Sequence, residues 1–413
     1  MLVKVLLALT VIVITARLAG ALFARLNQPA VIGEVVGGIL LGPSLLGRVA
    51  PGVAATLIPA DAAPFLNILA QLGVILYMFL VGLELDLRVL RARVSTTLAI
   101  SQASIVVPFL LGSALAFPLY ARLAPPGVRF HSFLMFLGVS MSITAFPVLA
   151  RILEERGLQR TSMGTLALTC AAINDAMAWC LLAVVVGVMQ DTPLEAVSTV
   201  GLTFVFIGVM FTAGRKIIGR AVARLDASPR VGEQSLALVL VAVLLSAVAT
   251  EFIGIHAIFG AFLLGAIVPH ETRIGHLVRD KIEDVVRVLL LPAFFAFTGL
   301  RTEIGLVHTA EDWMLCALII AVATAGKFGG AAIAARLTGI DWRDSAALGV
   351  LMNTRGLVEL IVLNIGLDLG VLTPRLFTML VLMALVTTMM TSPLLAALLR
   401  TRPWAPITRS PAQ

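Results

Sequence analysis

The chain has 413 residues, 60% of them hydrophobic and 13% charged, with a net charge of +7 and a mean hydropathy of +1.04. A soluble globular protein is about one-quarter charged, so these values exclude an ordinary water-soluble fold and describe a chain whose solvent is lipid. The 30 Lys and Arg fall in short loops, not in one patch or stripe, which excludes a nucleic-acid-binding surface.

Apolar stretches of about 20 residues, each enough to cross a hydrocarbon core of about 30 Å, recur from end to end. Thirteen spans are predicted, at 2–25, 29–48, 65–86, 95–121, 130–152, 161–189, 193–215, 233–251, 255–271, 286–303, 312–336, 343–366 and 374–399. They lack the ten-residue alternation of a membrane barrel, and their backbone groups must be satisfied internally, so the prediction is an all-α polytopic membrane protein. The first span is too long for a signal peptide and carries Arg17. Connections are short, and no cytosolic regulatory domain is expected. Cys170, Cys180 and Cys316 all lie inside apolar spans, where a thiol packs as a small hydrophobe, so neither a disulfide nor a metal framework is expected.

Charge sets the expected orientation. Loops after odd-numbered spans hold 21 of the 30 Lys and Arg, the opposite side holds six, and Arg17, Lys327 and Arg355 fall within spans. The positive-inside rule then puts the N-terminus outside and the C-terminus in the cytoplasm. Thirteen spans divide as six, one linker and six with opposite orientations, the arithmetic of an inverted repeat. Span 5 is interrupted by Pro147, and span 12 carries the polar run Asn353, Thr354, Arg355, Gly356; both are predicted broken helices.

The polar groups inside the spans carry the functional reading. Asp175 sits at the middle of span 6, in AAINDAMAW, beside Asn174. A carboxylate there costs roughly 2.5–3.5 kcal/mol on insertion scales, and such groups mark ion or proton paths unless they are purely structural. Ionised, it would bind a cation; protonated, it would be neutral, so the two ligands exclude one another. Lys327, in IIAVATAGKFGGAAIAA, needs a counter-charge or a depressed pKa: either it restrains the site at Asn174 and Asp175, or it forms a structural ion pair. Gly326, Gly329 and Gly330 beside it favour close helix approach.

Ser142 and Thr144 precede Pro147 in MSITAFPVLARI. Hydroxyls and the carbonyl freed by proline are hard oxygen ligands for a monovalent cation, unless they serve only a kinked helix. Arg355 and Glu359, four apart, can pair locally, either fixing span 12 or stabilising its break opposite Asp175. Glu34 and Glu84 lie near helix ends and read as interfacial or packing groups. His270 and His276 fall in a charged loop read as a solvated face. No GxxxxGK[ST], HExxH or paired CxxC occurs, so an ATPase, a zinc protease or a redox enzyme has no support.

PAVIGEVVGGILLGPSLLG, LYMFLVGLELDL, SITAFPVLARILEE, AAINDAMAW, LLLPAFFAFTGL and MNTRGLVELIVLNIG stand in this order along the chain. Together they resemble the monovalent cation:proton antiporter 2 family, above all its Kef-type and plant cation/proton-exchanger branches. The resemblance implies a thirteen-helix sodium/proton antiporter fold, a homodimer in the bilayer of a bacterial inner or plasma membrane. A dimerisation part (1–90 and 233–303), a linker helix (193–215) and a mobile core (95–189 and 312–399) are expected. In the core, spans 5 and 12 would cross as broken helices beside Asp175. It implies exchange of Na⁺ or K⁺ for H⁺ without a cofactor, with Asp175 as the ion-binding aspartate and Lys327 as the matching lysine. Where many electrogenic relatives have paired aspartates, this chain has Asn174 and Asp175, which predicts electroneutral one-for-one exchange. Two alternatives are a Kef-like gated K⁺ efflux channel, which the absence of a TVGYG filter disfavours, and a sodium-coupled organic-solute symporter, which would need a larger midplane cavity.

Overall fold

The computed structural model describes residues 1–84, 94–159, 161–188, 193–226, 232–269, 272–400 and 404. His270, the arginines at 88, 91 and 93, and the tail beyond 400 apart from Trp404 lie outside them. The helices in chain order are α1 (Leu2–Arg25), α2 (Ala30–Leu41), α3 (Leu46–Val49), α4 (Pro51–Leu57), α5 (Ala63–Glu84), α6 (Val94–Leu123), α7 (Phe130–Ser142), α8 (Phe146–Glu155), α9 (Ser162–Val188) and α10 (Pro193–Val209). Then follow α11 (Arg215–Asp226), α12 (Glu233–Ile253), α13 (Ala257–Ile267), α14 (Arg273–Val285), α15 (Leu291–Leu300), α16 (Ala310–Leu337), α17 (Trp342–Met352), α18 (Leu357–Asp368) and α19 (Pro374–Leu399). The regular elements among the described residues are helices, as the apolar runs predict.

Ten helical stretches are long and apolar enough to cross a membrane among the described residues. The other three predicted spans take different forms. Span 5 is α7 and α8 with a break at 143–145, and span 12 is α17 and α18 with a break at 353–356. Span 9 is α13, whose 11 residues rise only about 16 Å. The charged loop expected between spans 9 and 10 is helical: Ile274, Val278 and Ile282 repeat every four residues and are buried, so α14 is amphipathic, and it runs through a π-helical stretch, Val286–Leu290, into α15. The span predicted at 193–215 likewise continues past 215, through a π-helical stretch at Met210–Gly214 into α11.

Internal contacts divide the chain into two compact units. The first comprises Met1–Ala16, Ala50–Val89 and Ala183–Phe297. Glycines bring its helices together: a Cβ on Gly265 of α13 would fall 3.0 Å from the Cα of Gly82 in α5, and Ser246 of α12 donates to the Gly260 carbonyl of α13 at 2.7 Å.

The second unit comprises Arg17–Val49, Leu90–Leu182 and Thr298–Gln413, and it contains every candidate site residue. Local chemistry sets where its helices begin. Thr309 and Asp312 form a reciprocal capping box at α16, Asp341 accepts the Asp344 N–H at α17, and Thr373 caps α19 ahead of Pro374. One apolar cluster packs Leu149, Ile152 and Leu153 of α8 with Ala331 and Ala335 of α16, Leu348 and Leu351 of α17, and Leu395 of α19. Burying a Leu or Ile side chain contributes about 1.5–3 kcal/mol in water. In lipid the advantage comes chiefly from close packing, so this cluster holds the two broken helices by fit.

Candidate functional site

The site is built at two interruptions. At the first, α7 stops at Ser142, the chain runs extended through Ile143 and Ala145, and α8 restarts at Phe146 with Pro147 as its second residue. At the second, α17 ends at Met352 and α18 restarts at Leu357 after the extended residue Gly356. The breaks meet: Ala145 donates its N–H to the Thr354 carbonyl at 3.0 Å, and the Thr144 hydroxyl donates to the Met352 carbonyl at 3.2 Å.

A helix that ends inside an apolar core leaves its last carbonyls unpaired and the negative end of its dipole exposed. Two cations meet that demand at α7. Arg355 donates from Nη1 to the Ser140 carbonyl at 3.0 Å and from Nη2 to the Met141 carbonyl at 2.9 Å. Lys327 Nζ donates to the Ser142 carbonyl at 2.5 Å. Three consecutive carbonyls are thereby capped by side chains from α16 and from the second break.

Lys327 has two further partners, the Thr144 hydroxyl at 2.6 Å and the Ser104 carbonyl of α6 at 2.8 Å. An ammonium has three protons, and all three go to neutral oxygens. Arg355 also bonds Glu359 Oε1 at 2.9 Å, with both side chains fully buried. Glu359 lies in the first turn of α18, where the positive dipole end favours a carboxylate. Thr388 of α19 holds the Arg355 backbone from both sides, accepting its N–H at 2.9 Å and donating to its carbonyl at 2.7 Å.

Asn174 and Asp175 come from the centre of α9, with Asp175 thirteen residues from either end. Asn174 Nδ2 donates to the Ser104 hydroxyl at 2.5 Å and to the Thr144 hydroxyl at 3.1 Å. Asp175 is 1% exposed, and neither carboxylate oxygen has a hydrogen-bond partner. The Phe146 amide and, more weakly, the Lys327 ammonium favour its charged form. Phe146 opens α8, so the carboxylate faces the positive end of a half-helix. Asn174 Oδ1, Asn353 Oδ1 and Glu359 Oε2 are also buried without a partner.

The structure therefore brings Ser142, Thr144, Asn174, Asp175 and Lys327 together around the first break, and Asn353, Thr354, Arg355 and Glu359 around the second. Of Ser142 it is the carbonyl that meets Lys327; the hydroxyl donates to the Gly138 and Ile105 carbonyls at 2.7 and 3.1 Å. Gly326 and Gly330 press α16 onto α6, where an added Cβ would lie 2.9 Å from Pro108 Cα and 2.8 Å from the Ala103 carbonyl, whereas Gly329 faces open space. Glu34 is buried in α2, and His276 lies on α14.

Two contributors escape a reading of the sequence. Ser104 lies one turn before Pro108, and Thr388 sits in an apolar run with no break to mark it. The spacing of Ser101, Ser104 and Pro108 was the available signal for the first, because it puts two hydroxyls and a freed carbonyl on one helix.

The model of the transmembrane sodium/hydrogen exchanger family matches residues 11–401. The Na(+)/H(+) antiporter NhaS4 of Synechocystis sp. is 46% identical over 395 residues, with 95% of this chain and 96% of the relative covered. Cation/H(+) antiporter 17 of Arabidopsis thaliana is 42% identical over 396 residues, covering 95% of this chain; the chain spans about half of that relative, 48% of its length. In fold, the sodium proton antiporter MjNhaP1 from Methanocaldococcus jannaschii superposes with a TM-score of 0.62 over 97% of both chains at 13% identity. By the extent of the family match and the near full-length identity to the Synechocystis protein, this chain is a member of the transmembrane sodium/hydrogen exchanger family.

Proposed function

We propose that the chain exchanges a monovalent cation, Na⁺ or K⁺, for H⁺, with Asp175 carrying either ligand in turn. The observation that carries this reading is the Asp175 carboxylate, fully buried at mid-helix with both oxygens unpartnered, while the neighbouring ammonium is spent on neutral groups. An ionised carboxylate in that setting demands a cation; a protonated one does not. The relatives support the same reading, since they are named as Na⁺/H⁺ and cation/H⁺ antiporters.

Asn174, through its unpartnered Oδ1, completes the proposed cation site with an oxygen suited to a hard monovalent ion, and Thr144 and Ser142 border it at the first break. Lys327, Pro147 and the residues Asn353, Thr354, Arg355 and Glu359 support it by holding the two breaks. One carboxylate carries one charge, as H⁺ or as cation, so the exchange is electroneutral and one-for-one. Access alternates by an elevator-like movement of the core (95–189 and 312–399) against a homodimeric scaffold (1–90 and 233–303), with 193–215 as linker. The N-terminus lies outside and the C-terminus in the cytoplasm. The ions are substrates, and no cofactor is required.

The test is purified protein in liposomes with an internal pH dye, challenged separately with Na⁺, K⁺ and Li⁺. At least one cation should dissipate an imposed proton gradient. If none does, the reading is overturned.

A further inference from the structure

Pro108 lies inside α6 and is buried. Having no N–H, it leaves the carbonyl four residues earlier without its helical donor, and that carbonyl belongs to Ser104. A freed carbonyl in an apolar core needs another donor. The structure supplies one, the Lys327 ammonium at 2.8 Å. The approach is made possible by Gly326, the residue before Lys327, where any side chain would collide with Pro108 itself. The hydroxyl of the same Ser104 accepts from Asn174 at 2.5 Å and donates to the Ser101 carbonyl at 3.2 Å. One residue of α6 thus touches both Lys327 and the neighbour of Asp175.

From this geometry we infer that Ser104 and Pro108 form a dock that holds the Lys327 ammonium away from Asp175, and that Pro108 is a positioning residue for cation binding. The inference rests on the exchange reading above and adds to it. With the Ser104 carbonyl, the Ser142 carbonyl and the Thr144 hydroxyl all in place, each ammonium proton has a neutral acceptor, and the Asp175 carboxylate stays available to the transported ion. If the Ser104 carbonyl is withdrawn, one ammonium proton in a dry core has no partner. Asp175, whose oxygens are unpartnered, is the acceptor it turns to. Lys327 then competes with the transported cation for the same carboxylate. Proline does this without adding any polar side chain, because it acts only by deleting one backbone donor.

The experiment replaces Pro108 by Ala in the full-length chain. Alanine restores the N–H that reclaims the Ser104 carbonyl and keeps the helix intact. Initial exchange rates in dye-loaded liposomes are measured against the concentration of whichever cation the wild type transports. Pro108→Ala should raise the cation KM about tenfold, the worth of one hydrogen bond to a charged group, with the maximal rate within about twofold of wild type. Pro118→Ala, an exposed proline in the same helix, should leave both unchanged. The route through Lys327 is read separately from the rise in melting temperature that the cation produces in detergent. Pro108→Ala should reduce that rise in the native background and have no effect on it in a Lys327→Met background. A KM equal to wild type, or the same loss in both backgrounds, overturns the dock while leaving exchange itself standing. Failure of the wild type to exchange any cation overturns the exchange reading instead.

Discussion

Ala145 donates its backbone N–H to the carbonyl of Thr354 at 3.0 Å, so the two helix breaks satisfy one another across 209 residues of chain. Each break alone would leave backbone groups stranded in an apolar core. Joined, they share one set of partners: carbonyls of α7 taken by Arg355 and Lys327, and the carbonyl of Met352 taken by Thr144. Asp175 borders this set and is not satisfied by it.

The Arg355–Glu359 pair should behave as a buried pair that is worse broken than absent. Arg355→Met leaves Glu359 and the Ser140 and Met141 carbonyls without their donor, a loss of about 3–5 kcal/mol by analogy with other buried pairs. Glu359→Leu added to Arg355→Met should recover part of that loss. A double-mutant cycle on melting temperature in detergent checks this. Additive losses would contradict the pairing.

The glycines of α16 should differ sharply. Gly326→Ala and Gly330→Ala each push a methyl group into the α6 backbone and should lower the melting temperature by several degrees, whereas Gly329→Ala, facing open space, should be neutral or slightly stabilising. Equal effects at all three positions would mean that α6 and α16 are not packed as described.

Much of this was legible in the amino-acid order, for stated reasons. Apolar length gave the helices, Pro147 and the run from Asn353 to Gly356 marked both breaks, and isolated charges in apolar stretches singled out Asp175, Lys327, Arg355 and Glu359. Periodicity carries more than charge here: the four-residue repeat of Ile274, Val278 and Ile282 makes a helix of a segment that its charge alone reads as loop. The three glycines around Lys327 look alike in sequence, yet only two meet a neighbour, because facing is set by helix rotation. Ser142 shows the finest limit. Its residue type points to the hydroxyl, while the group that meets Lys327 is the carbonyl of a helix end. Thr388 had no signal, since its role depends on a partner 33 residues away.

Asn174 should set the charge moved per cycle. With one carboxylate, the wild type should exchange without net current. Asn174→Asp adds a second ionisable group at the site and should make exchange sensitive to membrane voltage, measured as a transport current on a solid-supported membrane. A wild-type current that reverses with voltage would contradict one-for-one exchange.

The central claim is that Asp175 carries the exchanged ligand, and its removal is the most direct measurement. In the dye-loaded liposome assay, Asp175→Asn should abolish cation-driven dissipation of the proton gradient, while the purified variant elutes as a folded species and melts within a few degrees of wild type, since an isosteric amide replaces a side chain that makes no hydrogen bond. Retained cation-driven proton movement in that variant would contradict the account.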